Sequence, residues 1–253
     1  MVDQQNFEKA AERLRSASNL VVITGAGVSA ESGVHTFRGK GGLWEEYDVG
    51  EVATASALRR DPEKVWKFLL LLREETAKAR PNPAHIAIAT LEKKIPTVRV
   101  ITQNIDGLHQ AGGSTEVLEI HGNVQTARNE ITGKLFSIND LDLTTLPPPC
   151  PETGEALRPN VLYFEEQYDS DILTTASTWV RQADVILVVG TSGMVPTPYI
   201  LAQEGRAAGA FLIDVNLVQN KAPSTWFGGA MDPADLFLQG RAGEVVPRLA
   251  EQQ

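Results

Sequence analysis

A chain of 253 residues with a net charge of −9 has room for one α/β core with an inserted module, and its acidic balance argues against nucleic-acid binding, which would show clustered Lys and Arg. No apolar run approaches the length of a membrane span, and residues 1–15 are polar and mixed in charge rather than signal-like. The single cysteine, Cys150, excludes an internal disulfide and fits a reducing compartment, so a cytoplasmic location is expected.

Apolar positions at helical spacing (Phe7, Ala10, Ala11, Leu14) predict a first helix over 6–16 that leads into an apolar run at 20–23. The stretch Phe37-Arg38-Gly39-Lys40-Gly41-Gly42-Leu43-Trp44 is too glycine-rich for regular structure and reads as a loop. Helices are predicted over 61–80 and 83–94, the second started by Pro83 in its first turn. Further apolar runs stand at 98–101, 117–120, 185–189, 211–213 and 236–238, with helical stretches at 171–182 and 198–208 between the later ones. Near-continuous apolar runs separated by amphipathic stretches read as buried parallel strands. The expected fold class is α/β, a Rossmann-like parallel sheet whose ligands bind beyond the carboxyl ends of its strands. Residues 123–159 are polar, contain Pro147-Pro148-Pro149 and lack a helical period, so they read as a small excursion from that sheet. The whole chain, 1–253, is read as one catalytic domain with small-module segments at about 35–80 and 123–159.

Gly25-Ala26-Gly27-Val28-Ser29-Ala30 has the G-x-G-x-x-A form directly after a strand. Such glycines let backbone N–H groups approach a pyrophosphate at a helix N-terminus. A tight β–α turn without a ligand makes the same demands, and the motif alone does not choose between them. An ordinary dehydrogenase would end a second strand on an acidic residue about twenty residues on. Gly41-Gly42-Leu43-Trp44-Glu45-Glu46 stands there with no strand before it. A dinucleotide fits this sequence; ordinary hydride transfer does not. Of the histidines, His121 alone stands at the C-terminal end of an apolar run. His35 and His109 read as structural, and His85 as solvent-facing near a helix start.

The residues from Gly25-Ala26-Gly27-Val28-Ser29-Ala30 through Glu31-Ser32-Gly33-Val34-His35-Thr36-Phe37-Arg38-Gly39 resemble the signature of the sirtuins, the NAD-dependent protein deacylases. So do Thr102-Gln103-Asn104-Ile105-Asp106-Gly107-Leu108-His109 and Glu119-Ile120-His121-Gly122. Leu157-Arg158-Pro159-Asn160-Val161-Leu162-Tyr163-Phe164, Gly190-Thr191-Ser192-Gly193 and Val215-Asn216 follow in the same order.

The resemblance implies NAD as co-substrate and an acyl-lysine protein or peptide as partner, with neither nucleic acid nor membrane; it says nothing of oligomeric state. It implies that Gln103 and Asn104 bind the nicotinamide ribose and a water, that Asp106 accepts from the nicotinamide carboxamide, and that His121 is the general base. Arg38 and Ser29 become phosphate and ribose contacts, Phe37 a shield for the reactive carbon, and Thr36 and Ile105 neighbours in the same pocket. Gly25, Ala26, Gly27, Gly190, Thr191 and Ser192 line the pyrophosphate, Asn216 the adenosine ribose, and Ala242 the adenine pocket. Leu69, Leu72, Val161, Tyr163 and Phe164 are the implied substrate-binding residues. ADP-ribosyl transfer or NAD hydrolysis uses the same motifs, and so does a non-catalytic NAD-binding module, although such a sensor needs no base.

Two departures stand out. Sirtuins usually carry two C-x-x-C pairs that bind a structural zinc; the matching positions here are Asn129 and Thr132, then Cys150 and Thr153. Structural zinc needs four Cys or His ligands, so no metal is expected, and the module should hold by packing of Leu135, Phe136, Ile138, Leu141, Leu143 and Leu146. Sirtuins that accept acidic acyl groups carry a tyrosine and an arginine where Leu69 and Leu72 fall; with no cation there, and Arg73 one residue around the helix, neutral acyl groups are expected.

Overall fold

The computed structural model describes residues 3–35, 43–219 and 234–253. The chain runs through α1 (Gln4–Ser16), β1 (Asn19–Thr24), α2 (Ala26–Ser29), α3 (Leu43–Glu46), α4 (Val49–Val52), α5 (Ala55–Arg60), α6 (Pro62–Lys78) and α7 (Pro83–Leu91). It continues through β2 (Thr97–Thr102), α8 (Leu108–Ala111), β3 (Val117–Glu119), β4 (Gly122–Arg128), β5 (Leu135–Ser137) and β6 (Arg158–Val161). It ends with α9 (Ser170–Arg181), β7 (Val185–Val189), α10 (Pro196–Ala207), β8 (Phe211–Asn216), β9 (Leu236–Gln239) and α11 (Ala242–Glu251).

Each of the six apolar runs becomes a strand of one parallel sheet, in the order β3-β2-β1-β7-β8-β9. Residues from α1, α7 and α11 bury one face of it, among them Leu14, Ile88 and Leu249, each fully covered. Residues from α9 and α10 bury the other, with Val180 and Ala202 at its centre. Each large aliphatic side chain so buried contributes roughly 1.5–3 kcal/mol. The chain builds outward from β1 to β3 on one side and from β7 to β9 on the other, so the carboxyl ends of β1 and β7 flank the topological switch point.

The predicted helices form within three residues of their expected bounds. The helices α3, α4 and α5, each six residues or fewer, are too short to leave a period in the sequence. Leu43 and Trp44, expected in a loop, begin α3; the rest of that stretch up to Gly42 lies outside the described residues.

Residues 122–161 form a second, antiparallel sheet, β5-β4-β6. Its core joins α6 (Trp66, Phe68, Leu69, Leu72) to Val124, Ala127, Ile138, Cys150 and Leu157, with Phe136, Leu141, Leu143 and Leu146 packed on the rim. The Trp66 indole donates to the Leu157 carbonyl at 3.0 Å. Leu135 departs from expectation and is half exposed, because alternation along β5 turns Phe136 inward and Leu135 out.

The four positions where sirtuins place zinc ligands still converge. The Asn129 amide donates to Thr153 Oγ1 and to Glu155 Oε2, both at 3.2 Å. Its oxygen accepts from the backbone of Ile131 and Thr132 at 2.9 and 3.0 Å. Gly133 and Gly154 close the two turns at φ 71° and 76°, a left-handed conformation that favours glycine. Hydrogen bonds from the Thr153 and Asn129 side chains hold the Cys150 thiol below its ordinary pKa. One thiol, one amide and two hydroxyls do not fit tetrahedral zinc, and no group of three or more His, Cys, Asp or Glu among the described residues could hold a metal.

Candidate active site

The turns after β1 and β7 meet backbone to backbone at the switch point. Gly27 N donates to Gly190 O at 2.8 Å, and a Cβ on Gly27 would lie 2.6 Å from that oxygen. Gly190 itself sits at φ 62°. The approach therefore requires glycine on both sides, with Gly25 and Ala26 between them and the strand. Thr191 is the hub: its hydroxyl accepts from Gln103 Nε2 at 3.2 Å and its carbonyl from Asn216 Nδ2 at 2.5 Å. Ser192 beside it is exposed. Ala242 is buried at the start of α11, where Gly243 N donates to Glu31 at 2.8 Å.

The turn after β2 supplies the carboxylate. Asn104 Nδ2 donates to Gly25 O at 3.2 Å and to Ser29 Oγ at 3.0 Å. Ser29 in turn donates to Asp106 Oδ2 at 2.7 Å, and Leu108 N donates to Oδ1 at 2.9 Å. Burial raises the Asp106 pKa, opposed by those two donors. Ala26, Ser29, Leu72, Asn104, Ile105 and Asp106 line a small cavity here.

His85 corrects the sequence reading. It is fully buried, because its ring completes the capping box of α7: Nδ1 accepts from Asn82 N at 3.3 Å, which leaves the proton on Nε2, 3.4 Å from Ser29 Oγ. His109 stacks edge-on against it at 4.9 Å and reaches Thr24 Oγ1 at 2.8 Å. Burial depresses both rings, His85 to about 4 and His109 to about 3, so both are neutral behind the serine.

His121 follows β3. Its Nδ1 lies 2.9 Å from the Gln103 carbonyl, which only accepts, so Nδ1 carries the proton and Nε2 keeps its lone pair. Burial lowers its pKa to about 4, against the Gln103 contact that raises it. The ring is neutral at pH 7, and Nε2 needs no prior deprotonation to act as a base.

Of the implied substrate residues, Leu72 lines the cavity, Val161 is half-buried beside the module core, and Phe164 is exposed. Leu69 is buried in the module core. Tyr163 is also buried, packed with Ala57 and Val65 beneath the Arg158 guanidinium, because it alternates away from Phe164. Thr36, Phe37 and Arg38 lie outside the described residues. The sequence reading missed the groups that pin this segment. Arg158 grips Glu166 with two hydrogen bonds, at 2.7 and 3.0 Å. Glu165, at φ 73°, accepts from Ser56 N and Oγ at 3.0 and 2.6 Å. Tyr168 was missed as well.

The sequence profile of the Sir2 family matches residues 25–197. The chain belongs to the Sir2 family. It is 45% identical to an NAD-dependent protein deacylase of Pyrobaculum aerophilum, over 96% of this chain and 94% of the relative. A Pyrococcus furiosus NAD-dependent protein deacylase is 42% identical, over 94% of each chain. Among solved structures, a Sir2 homologue mutant in complex with ADP-ribose superposes with a TM-score of 0.86 at 38% identity, covering 97% of this chain and 95% of that one. A Sir2 homologue–NAD complex gives 0.84 at 39% identity, covering 96% and 92%. The α/β class and the parallel sheet are those of the sirtuins. Among the described residues, no helix is long and apolar enough to cross a membrane.

Proposed function

We infer that this sirtuin is an NAD-dependent protein lysine deacylase in which His121 is the general base. The observation that carries the assignment is the tautomer: the Gln103 carbonyl holds the proton on Nδ1 and leaves Nε2 as the ring's basic nitrogen. NAD supplies the electrophilic ribose carbon that is uncovered as nicotinamide leaves. Asn104 and Gln103 hold the ribose, and Asp106, anchored by Ser29 and Leu108, accepts from the nicotinamide carboxamide. The turns at Gly25-Ala26-Gly27 and Gly190-Thr191-Ser192 take the pyrophosphate; Asn216 takes the second ribose, and Ala242 bounds the adenine. His121 removes the proton of a ribose hydroxyl so that the hydroxyl can accept the acyl group, a step to which a positioned base contributes roughly 10²–10⁴-fold.

Curated relatives named as protein deacylases support the reaction, and a solved sirtuin bound to a deacetylated p53 peptide and acetyl-ADP-ribose supports an acylated protein segment as partner. Thr36, Phe37 and Arg38 join the proposed site through the sequence match, and Leu72, Val161 and Phe164 border the acyl-lysine. The cytoplasm suits a chain with one cysteine. Incubating the protein with an acetyl-lysine peptide and NAD should yield nicotinamide, deacetylated peptide and O-acetyl-ADP-ribose in equal amounts by mass spectrometry. NAD cleavage at the same rate without peptide would instead establish hydrolysis or ADP-ribosyl transfer.

A further inference from the structure

The nitrogen that the proposed base must use is already engaged. With the proton on Nδ1, His121 Nε2 has a single lone pair, and the Tyr168 hydroxyl stands 2.8 Å from it and so donates to it. The two rings lie 5.6 Å apart, tilted by 40°. One lone pair accepts one strong hydrogen bond. A ribose hydroxyl that gives its proton to Nε2 must therefore take the place of the phenol.

The surroundings hold Tyr168 in this position. Its segment is tied to the base strand by Leu162 N donating to His121 O at 2.9 Å. The Arg158–Glu166 pair and the Ser56–Glu165 contacts fix it before Tyr168, and Asp169 caps α9 immediately after, accepting from Asp171 N at 2.8 Å. The ring packs against the sheet face that carries Ile23, Ile101 and Ile120. Burial raises the pKa of the Tyr168 hydroxyl, and the side chain of Thr197, in the first turn of α10, lowers it. That helix begins just past the Gly190-Thr191-Ser192-Gly193 turn, so the phenol connects the base to the element that follows the proposed pyrophosphate site.

We propose that Tyr168 is a positioning residue that caps Nε2 of His121 in the free enzyme and yields it to the ribose hydroxyl when NAD binds. The proposal rests on His121 being the base. The cap keeps the imidazole in its Nδ1–H tautomer and holds Nε2 in place until the ribose hydroxyl arrives. Its cost is paid as NAD affinity, since one neutral hydrogen bond is exchanged rather than gained.

Tyr168→Phe keeps the ring and removes the hydroxyl. NAD should then bind about two- to tenfold more tightly by calorimetry, the size of one neutral hydrogen bond, and KM for NAD should fall without a rise in kcat. A merely structural residue would move affinity the other way. In ¹⁵N spectra of the free enzyme, His121 Nε2 should shift from a hydrogen-bonded towards an unbonded acceptor nitrogen. In a His121→Ala background the same substitution should give no tightening. Unchanged or weaker NAD binding in a Tyr168→Phe protein with wild-type melting, or equal tightening without His121, overturns the cap. Full deacylation by His121→Ala overturns the base assignment instead, a separate readout from NAD affinity.

Discussion

In the cleft, Ser29 accepts from Asn104 and donates to Asp106, while the Nε2 lone pair of His121 is bonded to the Tyr168 hydroxyl, which must release it for chemistry to occur. In the three-stranded module, Asn129 bonds Thr153, Glu155 and the backbone of Ile131 and Thr132, all within the module. Both regions are built from short polar side chains on tight turns. They differ in the task of those bonds. The Asn129 turn is bonded within the module, as a structural element should be; the cleft orients its groups yet leaves them exchangeable. The polar cluster at Asn129, Thr132, Cys150 and Thr153 thus serves a structural task.

The most damaging way to test this contrast is His121→Ala. Loss of the one exchangeable nitrogen should lower turnover of an acetyl-lysine peptide by roughly 10²–10⁴-fold and leave NAD affinity largely intact. Near-wild-type turnover would show that the cleft's lone pair is incidental.

Acyl selectivity comes next. Among the described residues, the cavity beside Asp106 is lined by Leu72 and Ile105 and carries His35 and Glu75 but no Lys or Arg, while Arg73 is turned away to Gln125 at 2.9 Å and to Asn139. A succinyl carboxylate arriving there would be desolvated and unpaired, at a cost of several kcal/mol. Acetyl and longer neutral groups should lead succinyl by about a hundredfold or more in kcat/KM, on the order of 3 kcal/mol. A preference for succinyl-lysine would mean that a cation reaches the tunnel after all.

The two regions were also unequally legible in the sequence. The large sheet announces itself, because Leu20-Val21-Val22-Ile23 and Val185-Ile186-Leu187-Val188-Val189 are apolar on both faces and can only be buried strands. The glycine turn and the residues after β2 and β3 then fall at strand ends by position alone. The module hides its strands: Gly122–Arg128 reads GNVQTAR, buries only Val124 and Ala127, and pairs on one side with β6, far along the chain. His85 misleads because a helix start suggests exposure, whereas its capping role buries it. Tyr168 lies in a segment with no period, and the Arg158–Glu166 grip, the Ser56–Glu165 contacts and the Leu162–His121 backbone bond bring it to His121. Contacts set by loop geometry leave no local trace.

The module's closure can be broken by Asn129→Ala, which strands the N–H groups of Ile131 and Thr132. The expected loss is roughly 1–3 kcal/mol of stability, read as a lower melting temperature with NAD affinity unchanged. A strong chelator should leave the melting of the wild-type protein unmoved. The converse variant, Asn129→Cys with Thr132→Cys and Thr153→Cys, would join Cys150 in a four-thiol site and should make melting depend on zinc. Chelator sensitivity in the wild-type protein would mean that the polar cluster is not what holds the module.

The smallest expected effect is a missing inflection. An imidazole with the ordinary pKa of about 6.5 would lose roughly tenfold of its neutral form on going from pH 7.5 to 5.5. With His121 lowered to about 4 by burial, kcat/KM for the acetylated peptide should change less than twofold over that range, since this ratio reports the free enzyme. Stability behaves differently. His85, His109 and His121, at about 4, 3 and 4, stay neutral when folded but protonate below about 6.5 when unfolded. The unfolded chain therefore binds more protons as pH falls from 6.5 towards 4, and folding stability, complete above 6.5, declines across that window. Rates must be taken well below the melting temperature, with circular dichroism at each pH. Residues 122–161 contain no histidine, so the histidine-linked part of the loss belongs to the cleft. A kcat/KM inflection near 6.5 in protein that remains folded would show that the catalytic ring is solvated, and that the cleft is more open than its hydrogen bonds describe.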